Sequence, residues 1–382
     1  MARRPDQPDL LSQIPEGVHL GQPTHIYGMS PAIGADDLRG LYWDPTSWWA
    51  SSRNNTQRYA PARANHKAGQ HLEAALTSLV LQGEDAYASR FTIEPDDGRS
   101  DLARTRDQIK ELLARKQVKI PYGDFSDKTL FSLVRQHGLA HKVFATARKD
   151  YEAAVRSGRG SLTEKEDRRV RAFAQLMTGH KAVGPVFQGG LSDVAVFWRR
   201  ADDPDTMLRA RFRKLRRQRT YELVALSNWQ GRDTDAAIAQ TIKDRDLEIA
   251  RCLQHEAFEQ LVRFVDDGQV HGWEPDGRPA HVLASEREAL EGIAAAGMPA
   301  WVWLFYQIPA HEIGREKAAV IAPRSHAPEG RLWNVGQAKI EQALSELRSY
   351  RDRFSMDRPW VLVEDLKELV DTDVSPRTKK ES

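Results

Sequence analysis

The sequence predicts an α/β fold, with a largely helical first half wrapped around a sheet whose strands lie mainly in the second half. Three observations carry this expectation. Apolar residues recur at helical spacing through the first half, as in Leu72, Leu76, Leu79 and Val80. At Gly189-Gly190 the period shifts toward two or to continuous apolar runs, giving three candidate strands in succession. A long helical segment follows, and then Trp301-Val302-Trp303-Leu304-Phe305-Tyr306, which reads as a further buried strand.

Along the chain, residues 1 to 30 are rich in Pro, Gly and polar residues and are expected to form an extended entry segment outside the folded unit. Asp36 to Leu41 reads as a short helix stopped by Asp44-Pro45, because a residue before proline disfavours helical geometry. Ser51 to Ala64 is polar and reads as a loop. Helical spacing then covers Ala68 to Phe91, Leu102 to Lys116, Asp127 to Arg156 and Thr163 to Thr178. The three strands are Ser192 to Trp198, Met207 to Leu215 and Thr220 to Leu226, joined by connections short enough for antiparallel hairpins. One long helix is expected over Thr234 to Val265, and an amphipathic helix from Leu332 to about Phe354. Residues 371 to 382 are charged and carry Ser and Pro, the composition of a disordered tail. The expectation is one domain over 31–370, helical over 31–185 and built on the sheet over 186–370.

Composition excludes several classes. Cys252 is the only cysteine, so neither a disulfide framework nor a cysteine-based zinc site is available, and a reducing, cytoplasmic setting is expected. The start has no apolar leader and no later run is long enough for a membrane span. With 56 Lys plus Arg against 54 Asp plus Glu, global charge does not argue for nucleic acid. Local charge does. Arg209, Arg211, Arg213, Lys214, Arg216, Arg217 and Arg219 place seven basic residues in eleven positions with no acid among them. On a strand, Arg209, Arg211 and Arg213 share a face. Two readings stand: a phosphate-binding row, since arginine bonds phosphate bidentately without a metal, or charges that discourage edge pairing.

Separated landmarks, in order and at matching spacing, carry a resemblance to a known family. They are Gly17-Val18-His19-Leu20, Asp37-Leu38-Arg39-Gly40-Leu41 with Trp48-Trp49, and Ser78 to Tyr87. Further on come Gly189 to Trp198, Trp301 to Gln307 and Asp357-Arg358-Pro359-Trp360. Over residues 17 to 370 the chain resembles the phage and prophage branch of PD-(D/E)XK nucleases similar to exodeoxyribonuclease VIII. The resemblance implies a restriction-endonuclease-like core sheet flanked by helices. It also implies a catalytic set of histidine, aspartate, a second acid and lysine around Mg²⁺, which takes hard oxygen ligands.

Matched position by position, the histidine falls on Thr77, the aspartate on Arg213 and the lysine on Val224, while the second acid is kept as Glu222. Asp193 stands where the family often has glutamate, and Gln254 matches a glutamine on the helix after the core strands. Asp202, Asp203 and Asp205 are assigned to the hairpin before the strand. Asp365-Leu366-Lys367 lies beyond the core and reads better as a solvated helix. Replacing a metal-ligating carboxylate by arginine changes the local charge by two units. At ~4 Å and an effective dielectric of 20, each like-charge unit costs roughly 4 kcal/mol, so a dication binds poorly there.

The resemblance therefore implies a DNA-binding protein of phage or prophage DNA processing or recombination that has lost its nuclease chemistry and needs no cofactor. Its expected partners are linear duplex DNA or DNA ends, a recombination or phage protein, and copies of itself. One alternative is an active, Mg²⁺-dependent exonuclease whose site uses Asp193, Glu222 and a further acid. The other is a protein-interaction module built on the arginine-rich hairpin. Trp198, Trp301 and Trp303 alternate within apolar strands and are expected in the core, whereas Trp48 and Trp49 are left open to a base-stacking role. The histidines show no metal-ligand spacing.

Overall fold

Alternating apolar residues and the turns at Gly189-Gly190 and Arg216 to Gln218 assemble a mixed sheet of eight strands, flanked by helices. The structure is a computed structural model that describes residues 14–55, 70–96, 102–118, 126–226, 233–274, 277–308, 320–326, 329–356 and 360. In chain order the first half holds β1 (Gly17–Leu20), α1 (Thr24–Met29), α2 (Ala35–Trp43), α3 (Pro45–Ser51), α4 (Gln70–Gln82), α5 (Glu84–Arg90) and β2 (Phe91–Glu94). It continues with α6 (Arg106–Arg115), α7 (Asp127–Gln136), α8 (Phe144–Arg156), β3 (Gly160–Thr163) and α9 (Glu164–Gly179). The second half holds β4 (Leu191–Arg200), β5 (Asp203–Leu215), β6 (Arg219–Ala225), α10 (Thr234–Arg245), α11 (Leu247–Asp266), β7 (Val270–Trp273) and β8 (Pro279–Ala280). It ends with α12 (Ala284–Ala294), β9 (Ala300–Gln307), β10 (Val320–His326) and α13 (Arg331–Phe354).

The large sheet runs β10-β9-β6-β5-β4-β1-β7-β8, while β2 and β3 form a separate parallel pair. The meander β4-β5-β6 is antiparallel, as the short joins required, and β6 pairs in parallel with β9. One sheet face packs Val194, Val196, Trp198, Leu208, Ala210 and Phe212 against α11, α13 and α2. On the other face Tyr221, Leu223, Leu304 and Tyr306 meet Leu76 of α4 and Phe173 of α9. Among the described residues no helix is long and apolar enough to cross a membrane.

Several expectations are corrected. Of the expected extended segment, residues 14–30 are described, and they belong to the folded unit: Gly17–Leu20 is β1, paired with β4 and β7, and Thr24–Met29 is the helix α1. The helix expected over Thr234 to Val265 is two, broken at Asp246, whose backbone is left-handed (φ 48°, ψ 47°). β5 begins at Asp203, not after it. Asp203 is buried and accepts from Thr206 Oγ1 and Arg351. Trp48 and Trp49 are buried, and Trp49 stacks on Trp360 with ring centroids 4.7 Å apart, which removes both from a base-stacking role. Asp44 caps α3 through Ser47 N, so Asp44-Pro45 starts that helix as well as ending α2. The tail at 371–382 and the Asp365-Leu366-Lys367 motif lie outside the described residues.

Candidate functional site

The site forms where the sheet forks. β5 and β6 pair only at Lys214 beside Tyr221 and Leu215 beside Thr220. Beyond them β5 stays on β4, while β6 follows β9 from Arg219 beside Ala300 to Ala225 beside Tyr306. Arg213 and Glu222 stand at the opening of this fork. Asp193, in β4, has a left-handed backbone (φ 52°) that interrupts the regular ladder opposite Arg213.

Arg213 holds the two acids together. Its Nη1 lies 3.0 Å from Asp193 Oδ1, and its Nε lies 3.7 Å from Glu222 Oε1. Asp193 also accepts from Gln82 Nε2 at the end of α4. Gln254, on α11, crosses the mouth of the fork: its Nε2 donates to the Arg211 carbonyl at 2.9 Å, and its Oε1 accepts from Trp301 Nε1 at 3.2 Å. The Arg211 carbonyl has no β6 partner at this level, so Gln254 satisfies a group that the fork leaves open.

The charges follow from this geometry. Desolvation pushes the Glu222 carboxyl up to about 7; Arg213 pulls it down, Asp193 pushes it up, Gln254 lowers it and Glu73 raises it. Burial works against the Arg213 charge, but Asp193 and Glu222 outweigh it and raise the guanidinium further. Burial lowers Arg211 to about 10 and also lowers Arg90, although both feel Asp193. The fork therefore carries its own cation.

Asp193, Arg213, Glu222 and Gln254 do converge. Thr77 is half-buried on α4, one turn beyond Glu73, and Val224 is buried in an apolar cluster with Trp303 and Phe305. Sequence reasoning missed Glu73, which pairs with Arg245 Nη1 at 3.3 Å and repels Glu222. Its spacing of four before Thr77 on one helix was the available signal.

The basic row is corrected. Arg209 and Arg211 are buried beneath residues 20 to 37, and do not line an open cleft. Arg209 donates to the carbonyls of Tyr27 and Ser30 and pairs with Asp37; Arg211 donates to the Gln22 carbonyl and Thr24 Oγ1. Both guanidiniums lie over the Tyr27 ring. Lys214 is buried against Ser192 Oγ. These three serve the fold, tying the entry segment and β4 to β5. Arg217 and Arg219 are exposed at the β5–β6 turn, and the half-buried Arg216 donates to the Pro185 carbonyl.

This donor set does not suit a divalent ion. Mg²⁺ needs several oxygen ligands around a position free of positive charge, and here a guanidinium lies between the two acids. Among the described residues no three His, Cys, Asp or Glu side chains are grouped so as to hold a metal. No family model matches the chain, and no curated protein matches it.

Proposed function

We propose that this chain is a DNA-binding protein on a PD-(D/E)XK scaffold of the exodeoxyribonuclease VIII type, whose metal position is filled by its own arginine. The observation that carries the reading is Arg213 bonded to Asp193 and facing Glu222 in the β5–β6 fork. The order of the landmark segments, the meander followed by a helix and a parallel strand, and Gln254 at the fork all support it. The protein acts on DNA by occupancy, and the exposed Arg217 and Arg219 supply phosphate contacts.

The deciding experiment incubates purified protein with end-labelled linear duplex in Mg²⁺, Mn²⁺ or EDTA and reads shortening and gel shift together. The expected outcome is a shift in all three without shortening. Metal-dependent shortening abolished by Glu222→Ala would instead favour an active enzyme that recruits Glu73. Failure to shift DNA at low salt would favour a protein-interaction module.

Salt separates exposed from buried arginines. Each phosphate contact steepens the decline of affinity with salt by roughly 0.9 in log–log slope. Arg217→Ser with Arg219→Ser is expected to flatten the slope by about 2. Arg211→Met is expected to lower stability and leave the slope unchanged. Equal slopes in all three proteins, measured by fluorescence anisotropy, would remove the hairpin from the DNA interface.

A further inference from the structure

On the far side of Gln254, α11 carries a second charged site. Arg251 is wholly buried, yet none of its three guanidinium nitrogens has a hydrogen-bond partner. It lies 3.3 Å from the centroid of the Trp301 ring and 5.3 Å from that of Trp333. His255, one turn along α11, meets Trp333 edge-on with ring centroids 4.6 Å apart and lies tilted against Trp301 at 5.7 Å. His326, at the end of β10, packs on Trp303 at 5.2 Å. The Nδ1 atoms of His255 and His326 are buried without partners too.

Three unsatisfied polar groups thus meet in one aromatic-walled place. Burial lowers Arg251 to about 9, still charged near neutrality; burial and then Arg251 lower both histidines to about 4, so each is a neutral imidazole. Cation–π contact with Trp301 offsets part of the cost of a buried guanidinium but satisfies none of its N–H groups. An oxyanion would satisfy them. Trp333 is half-buried in the first turn of α13, whose cap Gly330 supplies no side chain and leaves the positive end of a 24-residue helix beside the site.

We propose that Arg251, His255 and His326, walled by Trp301 and Trp333, bind a small phosphate monoester. A tetrahedral group with several acceptor oxygens matches a forked guanidinium and an imidazole N–H from His326; His255, whose Nε2 faces Glu259 Oε1 at 3.6 Å, lines the site with its ring, and the half-buried Trp333 indole can stack on a ring the ligand carries. The site shares none of its charged residues with the fork or the β5–β6 turn and is separate from the nucleic-acid reading above.

The test is thermal unfolding and calorimetric titration of the full chain with inorganic phosphate and with adenosine monophosphate, against chloride at equal ionic strength. Phosphate-specific stabilisation is expected, weakened at least about tenfold by Arg251→Met. Tighter binding of the nucleotide than of phosphate would assign a ring-bearing ligand, and equal binding would assign the phosphate group alone. Should Arg251→Met not fold, His326→Phe retains a ring against Trp303 while removing a donor, and the same direction of effect is expected. No stabilisation beyond chloride in the unaltered protein, or stabilisation unchanged in a folded variant, would overturn the proposal.

Discussion

Asp246→Leu is expected to destabilise the protein by about 3–5 kcal/mol in urea denaturation at neutral pH, more than any conservative change at the same position. Asp246 is 3 % exposed and joins three elements: it accepts from Lys339 Nζ at 2.5 Å and Trp43 Nε1 at 2.9 Å, and lies 3.1 Å from Arg39 Nε. Lys339 has a second partner in Glu248 at 2.6 Å. Burial alone would raise the Asp246 carboxyl, but Lys339, Trp43 and Arg39 lower it, so its contribution is present at neutral pH and is lost as pH falls through its depressed folded value. Leucine removes the acceptor and also strains the left-handed backbone, which asparagine tolerates. Asp246→Asn, keeping shape and one acceptor, is expected to cost about 1–2 kcal/mol. Equal losses for the two variants would assign the whole effect to the lost charge and none to the left-handed backbone or to the acceptor that asparagine keeps.

Asp246 also shows where sequence reasoning stops. No Gly or Pro marks the break between α10 and α11, because the left-handed turn is stabilised by Lys339, Trp43 and Arg39, none of them local. Short elements were lost for a related reason: β10 contains Pro323, which an edge strand accommodates but which argues against a strand read in isolation. The meander was legible because its alternation is strong and its joins are short. Within the site, the alternation correctly put Arg209 and Arg211 on one face of β5. It could not show that residues 20 to 37 return to cover that face, since this contact spans more than 170 residues. Similarly, Asp193, Glu222 and Gln254 were named by matching the landmarks of the family the chain resembles, but that Arg213 pairs with both acids required the fork.

Arg213→Asp is the complementary test, because it turns the internal cation into a third carboxylate beside Asp193 and Glu222. At pH 8 the variant is expected to lose about 3 kcal/mol of stability, since an ion pair is removed and a like charge is added. Acids crowded together have raised folded pKa values, so the folded state binds more protons than the unfolded state and stability falls as pH rises; acidification to pH 5 should recover much of the loss. Manganese should recover it differently. At a free ion concentration about 100 times the dissociation constant, binding adds about 2.7 kcal/mol, enough to offset most of the loss at pH 8. Arg213→Met, which removes the cation without adding an acid, is expected to show a smaller loss and little response to the ion. The unaltered protein should show no Mn²⁺-dependent change in melting temperature, because Arg213 already neutralises the acids that a dication would use. Stabilisation by Mn²⁺ of the unaltered protein as large as that of Arg213→Asp would sink the account of Arg213 as an internal substitute for metal, and would direct attention to Glu73 as a ligand.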